Sequence, residues 1–107
     1  MDETKKLILE SIISNLSDNY NSDDLKIIND ILDDVITNAF FFSNREENEK
    51  NLKLLSLEIK HCVKSIYLQR GVEDVDNLNE SGRSSSYVDA LNKLRTDIVK
   101  NGKRVMF

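Results

Sequence analysis

The chain contains 107 residues with no proline and one cysteine, and its formal net charge is −4. That length suits one domain, large enough to bury about 60–70% of its unfolded surface without disulfides or metals. No apolar run reaches the ~18 residues of a membrane-spanning helix, and a lone cysteine excludes an internal disulfide. The first six residues lack the apolar core of a signal peptide, so we expect a cytoplasmic protein without membrane association.

Charged side chains are unevenly distributed along the chain. Residues 1–44 contain nine acidic and three basic side chains, whereas residues 83–107 contain two acidic and six basic ones. Opposite charges at the two ends favour head-to-tail association between copies of the chain.

The first predicted helix covers residues 2–19. Its apolar side chains recur every three or four residues, as on one face of a helix; they are Leu9, Ile12, Ile13, Leu16 and Tyr20, with Ile8 at the edge. The polar connection 18–24 ends at Ser22, a favourable cap for the next helix. Its many side-chain oxygens suggest a calcium loop, but Tyr20 breaks the EF-hand spacing, so we interpret it as a turn and a cap.

The second predicted helix covers residues 23–41. Asp30, Asp33 and Asp34 lie on one side of it and are expected on a solvated face, because acid–base catalysis needs carboxyl groups in contrasting environments. The opposite, buried face should contain Leu25, Ile28, Leu32, Val35, Ile36 and Ala39, widened by Ile27 and Ile31.

Three consecutive phenylalanines, residues 40–42, end the second helix and point in different directions around it. Two interpretations stay open. Either one or two rings close the end of the bundle and the third is partly exposed, or at least one ring anchors a partner, as aromatic residues do at interface hot spots. Phe40 and Phe42 are the candidates for such a contact.

A long central helix is predicted over residues 44–70. Ser43 and Glu46 form a Ser-x-x-Glu capping box at its start, and Gly71 can close it in a left-handed conformation. At ~1.5 Å per residue it is roughly 40 Å long and spans a small domain. Its buried stripe should comprise Leu52, Leu55, Ile59, Cys62, Val63, Ile66 and Tyr67.

His61 and Cys62 of this helix are the only histidine and cysteine of the chain. Neighbouring residues point about 100° apart on a helix, so these two do not form a Cys–His catalytic pair. Two ligands also do not complete a structural zinc site. We expect Cys62 in the core and His61 at the surface or at a helix contact.

The remaining residues comprise a polar loop (71–86), a last helix (87–101) and a basic tail with an apolar end (102–107). Ser86 and Asp89 should cap the last helix, and Asn101 and Gly102 should close it. A loop this long is often functional or ordered by a partner, and the apolar tail end favours docking on this subunit or the next. Together these elements predict an all-α, four-helix domain around one long central helix, with the loop and tail available for contacts between subunits.

The second half of the chain resembles a known family. Residues 63–73 (Val-Lys-Ser-Ile-Tyr-Leu-Gln-Arg-Gly-Val-Glu) end a long helix, residues 80–87 (Glu-Ser-Gly-Arg-Ser-Ser-Ser-Tyr) form a polar linker, and residues 102–105 (Gly-Lys-Arg-Val) form a basic ending. In this order the chain resembles the small head–tail connector proteins of tailed bacteriophages, also called adaptor or head-completion proteins. The similarity is strongest over residues 63–107, although Asp74 stands where many relatives have glycine.

The resemblance implies a structural virion protein of the head–tail interface, assembled in the host cytoplasm. It implies a homo-oligomeric ring, commonly of twelve copies, beneath the capsid portal protein. Such a ring extends the DNA channel without sequence-specific binding and gives a docking platform to the next head-completion or tail protein. No catalysis and no cofactor are implied. Subunit and partner contacts are then expected at Phe40, Phe42, Arg70, Glu73, Arg83, Tyr87, Lys103, Arg104, Val105, Met106 and Phe107.

The alternative is a small helical DNA-binding or regulatory protein that contacts phosphates through Lys93, Arg95, Lys100, Lys103 and Arg104. Against it stand the net negative charge and the lack of a helix-turn-helix pattern with a basic recognition helix. An enzyme is disfavoured, because the sequence offers no nucleophile–base pair, metal constellation or glycine-rich phosphate loop.

Overall fold

The computed structural model describes residues 2–16, 22–73 and 85–105, and the side chains of all of these except 22, 70–73, 85 and 86. Within these ranges the chain is helical and contains no strand, so the all-α prediction is confirmed. Most of the predicted loop 71–86 lies outside them. The helices are α1 (Asp2–Leu16), α2 (Leu25–Ser43), α3 (Glu49–Leu54), α4 (Ser56–Glu73) and α5 (Ser85–Lys100), with a 3-10 turn at Ser22–Asp24.

The centre of the bundle is formed by α2 and α4, which pack against each other and against both α1 and α5. Lys60 Nζ donates to Ser11 Oγ of α1 at 3.4 Å, and Cys62 Sγ donates to the Ala90 carbonyl of α5 at 3.6 Å. Residues two apart on a helix point ~200° apart. The helices α1 and α5 therefore lie on opposite sides of α4.

The buried core confirms the predicted stripe of the central helix, whose members are Leu52, Leu55, Ile59, Cys62, Val63, Ile66 and Tyr67. On α2, Ile28, Leu32, Val35 and Ala39 are buried as predicted. The prediction for Leu25 is wrong, because it is the first residue of α2 and remains largely exposed.

The buried face of α1 differs from the predicted one by a rotation of the helix. Thr4, Ile8, Ile12 and Leu16 are buried, while Leu9 and Ile13 are only partly covered. Thr4 Oγ1 donates to Glu49 Oε1 of α3 at 2.8 Å, which turns the Thr4 side of α1 inward. Tyr20 lies outside the described residues.

The start of the central helix is later than predicted, and the prediction of a Ser43–Glu46 capping box is wrong. Ser43 is the buried last residue of α2, and its hydroxyl donates to the Phe40 carbonyl at 3.2 Å. Asn44 then takes a left-handed conformation with φ 57°, which ends α2. Asn48 is the true N-cap, because its side chain accepts the Asn51 N–H at 2.9 Å.

The predicted single helix is in fact two, because Leu55 separates α3 from α4. Its end is also later than predicted, since α4 continues through Gly71 to Glu73. A glycine costs roughly 1 kcal/mol inside a helix relative to alanine, which packing elsewhere on the helix can outweigh.

The predicted end of the last helix is confirmed in detail. Gly102 takes a left-handed conformation with φ 72°. Its N–H donates to the Val99 carbonyl at 3.0 Å, and the Lys103 N–H donates to the Ile98 carbonyl at 2.9 Å. These two bonds form a Schellman motif, which turns the chain back toward the bundle.

Candidate assembly surface

The described part of the tail, residues 103–105, packs against the connection between α2 and α3. The Val105 N–H donates to the Ser43 carbonyl at 2.7 Å, and Asn44 Nδ2 donates to the Val105 carbonyl at 3.3 Å. Arg45 Nε donates to the Lys103 carbonyl at 2.6 Å. As far as Val105, the tail therefore docks on its own subunit.

A buried carboxylate holds the start of this tail. Glu58, in the first turn of α4, is 2% exposed. Its Oε1 accepts the Lys103 ammonium at 2.9 Å, and its Oε2 accepts Asn101 Nδ2 at 2.6 Å. The Lys103 ammonium also donates to the Leu54 carbonyl at 2.8 Å. The pair neutralises a buried charge and joins the end of α5 to the start of α4.

No structural role was predicted for Glu58 from the sequence, although its spacing places it on the buried stripe. It lies three residues after Leu55 and four before Cys62, both of which belong to the predicted buried stripe. A carboxylate on that stripe needs a cationic partner. The partner stands 45 residues further on, in a tail that the sequence assigns to no particular neighbour.

Several predicted interface residues make contacts within their own subunit, and the burial of Phe40 contradicts its predicted interface role. Phe40 is a core residue, and Phe42 is partly buried against the core. Lys103 is paired with Glu58, and residue 105 is bonded to the α2–α3 connection. Arg104 remains exposed. Arg70 and Glu73 lie in the last turn of α4, but their side chains, like Arg83, Met106 and Phe107, fall outside the described part of the chain.

The exposed phenylalanine is Phe41, with 76% of its surface accessible. Its ring meets the Phe42 ring edge to face, with centroids 5.8 Å apart. The Phe41–Phe42 pair lies beside the docked tail, because Val105 is bonded to Ser43. Of the two interpretations of this aromatic run, the structure bears out the packing of two rings with one exposed, and the contact of a ring with a partner stays a prediction. The exposed ring is Phe41 and not one of the two candidates, Phe40 and Phe42.

Two tyrosines tie α4 and α5 to α2 and to the 3-10 turn that precedes it. Tyr67 of α4 donates to Asp24 Oδ2 at 2.7 Å, and Tyr87 of α5 donates to Asp34 Oδ2. Tyr87 was predicted as an interface residue but is half-buried in its own subunit. Asp34 was predicted on a solvated face and is instead partly covered by this contact.

A groove of about 390 Å³ lies between α4 and α5, and the one thiol in its lining is that of Cys62. Cys62 lies in its floor, and burial, with smaller contributions from Asp34 and Asp97, raises the pKa of its thiol to about 12. A thiol that stays protonated is a poor nucleophile. The prediction that Cys62 is a core residue is confirmed, and His61 is exposed at the groove edge.

The described residues contain no group of three or more side chains arranged to hold a metal ion. Among the helices of these same ranges, none is long and apolar enough to cross a membrane.

Comparison of the chain with protein-family models, curated proteins and solved structures finds no match.

Proposed function

We propose that this protein is a structural subunit of the head–tail connector of a tailed bacteriophage. In this role it forms a ring beneath the capsid portal, extends the channel through which DNA passes, and presents a docking platform to the next head-completion or tail protein. Its place is then the head–tail interface of the virion, after assembly in the host cytoplasm. The role needs no cofactor and no catalytic step.

The observation that carries a contact role is the exposure of Phe41. A phenylalanine ring buries 150–250 Å² when covered, and aromatic rings are enriched at the centres of interfaces. Phe41 leaves 76% of its surface to solvent at the end of α2, although α2 buries Phe40 one residue earlier. Covering this ring with a neighbouring subunit or a connector partner stabilises the complex without rearranging the core.

The charge distribution supports the same role. An acidic first part and a basic last part favour contacts in which unlike ends of two copies meet, as in a closed ring. The net charge of −4 also suits a channel for DNA, because a lining rich in lysine and arginine retains phosphates through counterion release.

The alternative, a DNA-binding or regulatory protein, retains one supporting observation. Lys93, Arg95, Lys100 and Arg104 are exposed on α5 and the tail, where they are free to meet phosphates. Lys103 is withdrawn from this set by its pairing with Glu58. The remaining four cations are interspersed with Asp89 and Asp97, which lowers the positive potential of α5.

Sizing of the purified protein with and without duplex DNA separates the two functions. The connector role predicts an oligomer whose mass does not depend on DNA, and closed rings in electron micrographs at the higher protein concentrations. A monomer or dimer that shifts onto DNA at low salt and leaves it at high salt contradicts the connector role, because salt-sensitive binding is the mark of phosphate contacts.

A further inference from the structure

The floor of the groove between α4 and α5 is apolar. It is formed by Cys62, Ala90 and Leu94, all of which are buried. Leu57 stands at the α4 side of the groove with 49% of its surface exposed. A concave apolar floor with an exposed leucine at its edge favours an occupant that contributes an apolar side chain.

Charged side chains line the α5 side of this groove in a definite order. Lys93, Asp97 and Lys100 follow one another at spacings of four and three residues, which places them on one helix face. Both lysines are exposed and Asp97 is half-buried. The other titratable groups of the lining, apart from the Cys62 thiol in the floor, are the exposed His61 and Glu58, whose carboxylate is already paired with Lys103.

The outer face of α1, defined here as Glu3, Lys6, Leu7 and Glu10, carries the opposite order of charges. Its three charged side chains are exposed and follow one another at spacings of three and four residues. Leu7 lies among them with 58% of its surface exposed. This face points away from the buried side of α1, which consists of Thr4, Ile8, Ile12 and Leu16.

The two charge patterns match when α1 of one copy runs antiparallel to α5 of another. Read backwards along α5, three residues separate Lys100 from Asp97 and four separate Asp97 from Lys93. The α1 outer face has the same spacings in the forward direction. Opposite charges therefore face each other at three successive positions over ~10.5 Å of helix, and Leu7 is directed toward the floor of the groove.

One copy cannot make this contact within itself, because α1 and α5 lie on opposite sides of α4. Two different surfaces of two copies must meet. Such a heterologous contact leaves one outer face and one groove free on every pair, so further copies add until the series closes into a ring or continues as a filament.

We propose that the α1 outer face of one copy packs in the α4–α5 groove of the next copy. Glu3 meets Lys100, Lys6 meets Asp97 and Glu10 meets Lys93, while Leu7 contacts Leu57 and Leu94. This proposal rests on the connector function, because it supplies the subunit contact that a ring requires.

Charge reversal tests the pairing. The groove variant Lys93→Glu/Lys100→Glu and the α1 variant Glu3→Lys/Glu10→Lys each place like charges together, and each should weaken self-association at least about tenfold by sedimentation. Mixing the two variants restores both kinds of contact, as does the quadruple variant, so both should recover the wild-type oligomer.

Matched controls carry the same charge changes elsewhere. Lys26→Glu/Lys50→Glu and Glu46→Lys/Glu47→Lys alter exposed side chains that belong to neither the α1 outer face nor the groove, and they should leave the sedimentation profile unchanged. Circular dichroism of every variant should report the wild-type helix content, which separates loss of the contact from loss of the fold.

Disulfide trapping gives a second measurement that does not depend on charge. A Leu7→Cys/Leu57→Cys variant should form a ladder of covalently linked copies under mild oxidation, because each bond joins α1 of one copy to the groove of the next. Leu25→Cys/Leu57→Cys, which also joins two exposed positions, should not. The buried Cys62 stays in place in both variants.

The outcomes distinguish this contact from the function on which it rests. A wild-type oligomer that is indifferent to both reversals and gives no Leu7–Leu57 ladder overturns the proposed contact and leaves the connector function standing. A wild-type chain that stays monomeric at its highest soluble concentration, gives no ladder and adds no density to a candidate portal ring overturns both. Recovery in the mixture, together with the ladder, supports the contact.

Discussion

Replacing Lys103 by methionine removes the cation that neutralises the buried Glu58 carboxylate. The change keeps most of the length of the side chain and its apolar stem, but it deletes the bonds to Glu58 Oε1 and to the Leu54 carbonyl. Glu58 then retains the Asn101 amide as its bonding partner among the contacts described. We expect a lower free energy of unfolding, because a buried charge loses its counter-charge.

The magnitude follows from the burial of the two partners. Breaking a fully buried ion pair costs about 3–5 kcal/mol, and losing a hydrogen bond to a charged group costs about 1.5–3 kcal/mol. The Glu58 side chain is 2% exposed but that of Lys103 is 21% exposed, so water partly replaces the ammonium. We therefore expect a loss of about 2–3 kcal/mol for Lys103→Met.

The double variant Glu58→Met/Lys103→Met gives the sharper test. Replacing both partners of a buried pair by apolar groups is often close to neutral, so the second change should recover at least about half of the loss caused by the first. Urea unfolding followed by circular dichroism measures both values, with the exposed Lys50→Met as a control expected within ~0.5 kcal/mol of wild type. A Lys103→Met variant as stable as that control would show that the Lys103 ammonium does not stabilise the buried Glu58 carboxylate.

Three further changes test other parts of the structure. Burial raises the pKa of Cys62 to about 12 from 9.0 in the unfolded chain, so stability should hold below pH 9 and fall as the pH rises toward 12. The loss at pH 10 relative to pH 7 should be roughly 1 kcal/mol larger in wild type than in Cys62→Ala, as measured by urea unfolding at both pH values. Gly102→Ala should lower the free energy of unfolding by about 1–2 kcal/mol. The cost comes from the backbone, because Gly102 has φ 72° while an added Cβ would meet no atom within 4 Å, so Gly102→Asn should lose less. Equal stability of wild type, Gly102→Ala and Gly102→Asn would contradict a backbone cost. Phe41→Ser should leave the free energy of unfolding within ~0.5 kcal/mol of wild type but weaken assembly about tenfold or more by light scattering. The control Leu68→Ser, at another exposed position, should leave both the free energy of unfolding and the assembly unchanged.

The core and the end of α5 were predictable because their signals are local and do not compete. The stripe from Leu52 to Tyr67 repeats at helical spacing, and Gly102 is the natural residue for a left-handed helix end. The position of the exposed aromatic ring was not predictable to one residue. Neighbouring positions differ by about 100° around a helix, so a small rotation of α2 decides whether Phe40 or Phe41 is buried.

The prediction of where the central helix starts was wrong for a different reason. Two capping signals lie close together, at Ser43 and at Asn48, and the helix rules allow both. The choice is made by tertiary structure, because Ser43 is buried at the end of α2 and its carbonyl accepts the N–H of Val105. That bond joins residues 62 positions apart, and no local pattern reports it.

The candidate site also combines features that the sequence predicts with features that depend on tertiary structure. The exposure of Arg104 agrees with its position in a polar tail, whereas the internal pairing of Lys103 depends on Glu58, which the bundle brings to it. The charge order on α1 and α5 is visible in the sequence. The proposed contact between copies depends also on α1 and α5 lying on opposite sides of α4, an arrangement that no local pattern in the sequence reports.

Electron microscopy of the protein mixed with a candidate portal ring is the most direct measurement of the connector function. The connector function predicts a second ring stacked coaxially on the portal, with an open central channel. Portal particles without added density, alongside a protein that stays monomeric at the same concentration, would contradict it.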